Sequence, residues 1–152
     1  MALLTTPTCE FGKKIINFSL LNIDNEFYET NQIIGSRGTL IMFLCNHCPY
    51  VKAIIKKLSF TTDKLKELGV NSVAIMPNDV NNYPEDSFEN MKIFAKNNNL
   101  NFPYLFDENQ VVAREFGAVC TPDFFGYNKN GDLQYRGRIG ELKNLEFSND
   151  KN

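Results

Sequence analysis

Cys45 and Cys48 stand two residues apart, with Asn46 and His47 between them. Two thiols at this spacing can act as one redox unit. A thiolate attacks a disulfide, and the second thiol displaces the product from the mixed disulfide. The spacing suits the first turn of a helix, where both sulfurs can meet. A strand running straight into that helix would expose the first cysteine at its N-terminus, where free N–H groups and the helix dipole stabilise a thiolate. Cys45 is therefore the expected nucleophile and Cys48 the more buried resolving thiol. His47 is the single histidine of the chain. From between the cysteines it can direct a hydrogen bond or a positive charge at the Cys45 thiolate, which would lower the thiol pKa and make the pair more oxidising. The plain alternative is an exposed histidine with no role, and a general-base role fits less well.

A C-x-x-C pair can also be half of a zinc site. Cys45, His47 and Cys48 could donate, joined by Cys9 or Cys120. No second C-x-x-C and no H-x-x-x-H pair accompanies them, so neither a metal nor another cofactor is expected. Cys9 lies in the N-terminal arm, away from the motif.

The 152 residues fit one domain, 1–152, with a real hydrophobic core. Sixteen basic and eighteen acidic residues give a formal charge of −2, which offers no general field for nucleic acid or an anionic membrane. The longest apolar stretch, Leu40 to Leu44, is far too short to span a bilayer. The start lacks a basic region followed by a long apolar one, so a cytoplasmic location is the expectation. Four cysteines are too sparse for a secreted disulfide framework.

The elements that must position the pair follow from patterning. Ile15 to Leu21 and Glu26 to Tyr28, joined through Asn22–Asn25, read as a hairpin. Gly35 to Gly38 reads as a loop. Thr39 to Leu44 is a continuous apolar run suited to a strand buried on both faces. Tyr50 to Leu68 carries helical spacing through Val51, Ile54, Ile55, Leu58, Leu65 and Leu68, with Gly69 as its stop. The hydroxyl-rich Ser59 to Thr62 could kink it. Val70 to Met76 is a second buried strand. Pro84 to Ser87 starts a helix continuing over Phe88 to Lys96, with Phe88, Met91, Ile93, Phe94 and Ala95 as its apolar set. Phe102 to Phe106 is a short strand, and Gln110 to Phe116 a short helix closed by Gly117. Asp123 to Tyr127 and Leu133 to Arg138 are strands joined by the turn Asn128–Gly131. The fold class is α/β, a mixed central sheet with helices on both faces and an N-terminal hairpin.

Several segments together resemble a known group. Leu40 to Leu44 followed by Cys45-Asn46-His47-Cys48-Pro49-Tyr50-Val51 is similar to the active-site region of thioredoxin-like proteins. The nearest branch is the redoxin, or alkyl hydroperoxide reductase/thiol-specific antioxidant, family. Pro77-Asn78-Asp79, Tyr83 to Ser87 and Phe116 to Phe125 match the same branch, and the likeness runs from about Phe11 to Arg138. The resemblance implies a thioredoxin-like fold with an N-terminal hairpin extension. It also implies a cis Thr121–Pro122 peptide facing the dithiol, the Thr121 backbone offering edge hydrogen bonds to an extended substrate. Cys120 would then lie near the site, either as a third redox thiol or, the commoner fate of such a cysteine, as a small buried hydrophobe.

Two departures refine that expectation. A peroxiredoxin carries Thr or Ser three positions before its peroxidatic cysteine and an arginine that polarises the peroxide. Here Met42 stands three before Cys45, and the sequence places none of Arg114, Arg136 and Arg138 at the thiol. Second, thioredoxin folds end with an amphipathic helix, whereas here only a polar tail with Leu142, Leu145 and Phe147 follows Arg138. A C-terminal helix is thus expected to be short or missing, and a homodimer is one way to cover an apolar sheet face left open. The leading reading is a thiol–disulfide oxidoreductase acting on protein or small-molecule disulfides, kept reduced by a thioredoxin- or glutathione-type system. The alternatives are a thiol peroxidase using Cys45 and a non-enzymatic zinc-binding or interaction module.

Overall fold

The computed structural model describes residues 12–46, 48–77, 81, 83–118 and 122–137. Residues 138–152, where a C-terminal helix was expected to be short or missing, lie outside them. One sheet of seven strands organises the chain, in the order β2-β1-β5-β4-β3-β6-β7. Strands β3 (Gly38–Phe43), β4 (Val70–Met76) and β5 (Tyr104–Phe106) run parallel. Strands β6 (Asp123–Asn128) and β7 (Leu133–Gly137) form an antiparallel hairpin added beside β3. The N-terminal hairpin, β1 (Ser19–Asn22) and β2 (Phe27–Glu29), closes the other edge by pairing β1 with β5.

Strand alternation divides the core into two layers. Leu40, Met42, Val70, Ala74, Met76, Tyr104 and Phe124 face the layer containing α2 (Pro49–Glu67) and α3 (Phe88–Asn97). Ile41, Phe43, Val73, Ile75, Leu105, Phe125 and Tyr127 face the layer of α4 (Val111–Phe116) and Ile33, from the short helix α1 (Thr30–Ile33). All these residues are buried, so the described central strands leave no apolar face open for a homodimer to cover. Helices do flank both sheet faces, as expected. No helix among the described residues is long and apolar enough to cross a membrane.

Four local readings need correction. The helix through Ser59–Thr62 is unbroken, and two of the segment's hydroxyls, on Thr61 and Thr62, find partners nearby. The Thr61 hydroxyl donates to the Lys57 carbonyl at 3.0 Å, and Thr62 Oγ1 lies 3.0 Å from the Ser59 carbonyl and 2.9 Å from Asn101 Oδ1. Thr62 is itself buried between Leu58 and Leu65, whereas Leu68, at the helix end, is exposed. The segment Pro84–Asp86 is a separate 3₁₀ turn, and α3 begins after Ser87, whose side chain accepts from the Asn90 N–H. Within α3, Ile93 is exposed rather than part of the apolar face.

Candidate active site

Strand β3 delivers Cys45 two residues beyond its last residue, Phe43. Leu44 is still held to the sheet, its N–H donating to the Ile75 carbonyl at 3.0 Å. The helix begins at Pro49, one residue before the helical spacing read from Tyr50, with Cys48 as its N-cap, so Cys45 lies ahead of the first turn. Proline suits that first helical position because its missing N–H would have had no partner there. The Lys52 N–H closes the first turn on the Cys48 carbonyl at 3.0 Å. Cys48 therefore sits nearest the positive end of α2. The expected exposure order is reversed as well: Cys45 is 1% exposed and Cys48 8%. Both belong to one apolar cluster with Met42, Leu44 and Val51.

Beneath the two cysteines lies a polar network that the sequence did not announce. The Asn46 N–H, on the peptide bond to Cys45, donates to Asp86 Oδ1 at 2.7 Å. The Asn46 side chain donates to the Glu85 carbonyl at 2.9 Å and accepts from the Tyr104 hydroxyl at 2.9 Å. The Tyr104 N–H in turn donates to Asn22 Oδ1 at 2.8 Å, tying the N-terminal hairpin to this layer. Asn22, Asn46, Asp86 and Tyr104 are all buried. Two segments far apart in sequence thus hold Asn46, and a third, through Asn22, anchors Tyr104. Asp86 falls inside Tyr83–Ser87, where an acidic residue reads as an ordinary helix-start signal. Nothing in one sequence marks it as buried.

Burial, followed by the negative charges of Cys45 and Asp86, holds the Tyr104 phenol well above its ordinary value of 10.0. A phenol that stays protonated when folded contributes stability below about pH 10, where the unfolded chain is protonated too. That contribution is lost as pH rises, because only the unfolded phenol can ionise easily. Tyr104→Phe is expected to lower stability by about 1–2 kcal/mol at pH 8, because Asn46 Oδ1 loses its donor. It should also flatten the fall in urea midpoint above about pH 10.

Sequence-level candidates fare differently. Pro122 is buried at the start of β6. Strands β3 and β6 pair Phe43 with Asp123, so the same register carried one residue further sets Pro122 opposite Leu44, next to Cys45. His47, Cys120 and Thr121 lie outside the described residues, as does Cys9. Of the arginines named for a peroxide site, Arg138 also lies outside. Arg114 Nη2 donates to the Asn109 carbonyl at 3.0 Å in an exposed setting. Arg136 pairs across the hairpin with Phe125, in the α4 layer, whereas both cysteines belong to the opposite layer. Among the described residues no group of three or more His, Cys, Asp or Glu side chains could hold a metal ion. The zinc set considered above rests partly on His47, Cys9 and Cys120, outside that range.

Comparison with known proteins gives these features a context. Residues 11–136 match the AhpC/TSA family. The chain is 39% identical to an uncharacterised conserved protein of Geobacillus kaustophilus, covering 90% of this chain and 75% of that one, with a TM-score of 0.84. It is 32% identical to a hypothetical protein of Sinorhizobium meliloti 1021, covering 87% and 72%, with a TM-score of 0.83. The fold is thioredoxin-like. The thioredoxin domain of a thiol-disulfide oxidoreductase from Bacteroides vulgatus superposes with a TM-score of 0.76 at 13% identity, over 95% of this chain and all of that one. No curated protein matches the chain.

Proposed function

Since the chain belongs to the AhpC/TSA family, we propose that within it this protein is a thiol–disulfide oxidoreductase working through Cys45 and Cys48. The Cys45 thiolate attacks one sulfur of a substrate disulfide, forming a mixed disulfide and releasing the first substrate thiol. The Cys48 thiolate then attacks the Cys45 sulfur, closing the Cys45–Cys48 disulfide and releasing the second thiol. Two electrons and two protons leave the dithiol, and a thioredoxin- or glutathione-type dithiol or thiol pool returns them. His47 tunes the Cys45 thiolate. Thr121, beside Pro122, supplies the backbone edge along which a polypeptide substrate lies. A cytoplasmic setting would keep the pair reduced.

The observation that carries this reading is the joint placement of the cysteines, one at the end of a buried strand and the other capping the following helix, within one cluster. Because both are buried, attack draws on local opening of the strand–helix junction, and thiol reactivity follows the ease of that opening. Two observations favour disulfide exchange over peroxide reduction. Met42, where a peroxide-holding hydroxyl would be needed, is fully buried in the same cluster. Arg136 is engaged with Asp123 on the other sheet face.

Insulin reduction tests the proposal. Wild-type protein should accelerate precipitation of insulin chains by dithiothreitol well above the uncatalysed rate, while consuming hydrogen peroxide no faster than free cysteine. Peroxide turnover without insulin reduction would overturn it in favour of a thiol peroxidase. Silence in both assays, with one equivalent of zinc on protein purified under reducing conditions, would favour the binding module.

A further inference from the structure

Arg136 is one of the least exposed charged side chains among the described residues, at 6% exposure, and its carboxylate partner Asp123 is at 0%. Its Nη2 has two N–H groups, and each has an acceptor. One is Asp123 Oδ2 at 3.0 Å, the other the Gly117 carbonyl at 2.6 Å. The guanidinium plane lies 4.7 Å from the centroid of the Phe125 ring, its partner in the β6–β7 register. Gly117 ends α4 in the left-handed conformation, and Asp123 opens β6 immediately after Pro122. One buried guanidinium thus joins the Gly117 carbonyl to the Asp123 carboxylate, six residues apart, on either side of the chain that leads to Pro122. Burying this pair is costly, the more so because the buried Arg136 Nε has no hydrogen-bond partner.

We propose that Arg136 is a positioning residue for polypeptide disulfide substrates: by pinning Gly117 to Asp123 it holds Pro122 against the Cys45 end of β3. This rests on the exchange reading above. A substrate lying beside Pro122 is held by main-chain hydrogen bonds, and its affinity depends on where that stretch of chain is fixed. The thiol chemistry itself does not pass through Arg136, which lies on the other sheet face.

Arg136→Lys keeps the charge but gives up the planar fork, and Arg136→Gln serves if the lysine variant does not fold. The expected result is a KM for insulin raised about tenfold with kcat within twofold of wild type. A small disulfide such as hydroxyethyl disulfide, which has no chain to lay along the edge, should keep its KM. The equilibrium constant of the dithiol with glutathione should stay within twofold. Independently of any activity, hydrogen exchange at the described amides between Gly117 and Asp123 should accelerate at least about tenfold, with those of β3 and β4 unchanged. Unchanged exchange there would overturn the clamp. Accelerated exchange with an unchanged insulin KM, or with equal losses on both substrates, would overturn its role in substrate positioning. If wild-type protein reduces neither substrate, the exchange reading fails, and hydrogen exchange still decides the clamp.

Discussion

Replacing Cys45 with Ser should reduce turnover of disulfide substrates by at least about a thousandfold, because the nucleophile is lost and the remaining groups cannot take its place. Replacing Cys48 with Ser should be equally damaging to turnover but leave a different trace. Attack by Cys45 still occurs, the mixed disulfide cannot be resolved, and one substrate chain stays attached. Intact-mass analysis after mixing with oxidised insulin chains checks both outcomes. The exposure pattern gives the experiment its edge. Cys48 is the helix N-cap and slightly more exposed than Cys45, so an adduct on Cys45→Ser instead of Cys48→Ser would exchange the two roles.

Asp86→Asn should make the dithiol more oxidising. Asp86 Oδ1 accepts the N–H of the peptide bond joining Cys45 to Asn46 at 2.7 Å. Asp86 and Cys45 are both close enough to the Tyr104 hydroxyl for their negative charges to raise its pKa, after the larger effect of burial. Negative charge gathered in a dry pocket disfavours a thiolate at Cys45. Asparagine keeps the shape and an acceptor oxygen while removing the charge. The thiolate, and with it the reduced form, is then stabilised. A fall of one unit in the thiol pKa, about 1.4 kcal/mol, corresponds to about tenfold in the equilibrium with glutathione, or about 30 mV. Asp86→Ala, by contrast, leaves the Asn46 N–H without its acceptor and should cost about 1–3 kcal/mol of stability. A potential that is unchanged or more reducing in Asp86→Asn would refute the electrostatic account of this network.

Much of the frame was legible because β3 and β4 are buried on both faces and read as unbroken apolar runs. Their bounds, Gly38–Phe43 and Val70–Met76, fall within a residue of the expected ones. Gly69 and Gly117, both with positive φ, mark helix ends as expected. The four-residue α1 was missed because one turn carries no period to read. The start of α2 at Pro49 falls within a residue of the spacing read from Tyr50, although Cys48, an unusual N-cap, gives no side-chain capping signal. The dithiol could be found from local spacing, but the network of Asn46, Asp86 and Tyr104 could not. Its members are brought together only by sheet order and by the 3₁₀ turn before α3. The Asp123–Arg136 pair escaped for the same reason: its two charges meet only once β6 and β7 have paired.

The central claim is that Cys45 and Cys48 form one reversible redox unit. Equilibrating the full chain across a series of glutathione ratios, then trapping with an alkylating mass tag, tests it most directly. The account predicts one two-electron transition between a form that takes two tags and a form that takes none at these positions, with the Cys45–Cys48 disulfide recovered in a single peptide. Two thiols that each acquire glutathione separately, with no intramolecular disulfide at any ratio, would contradict it.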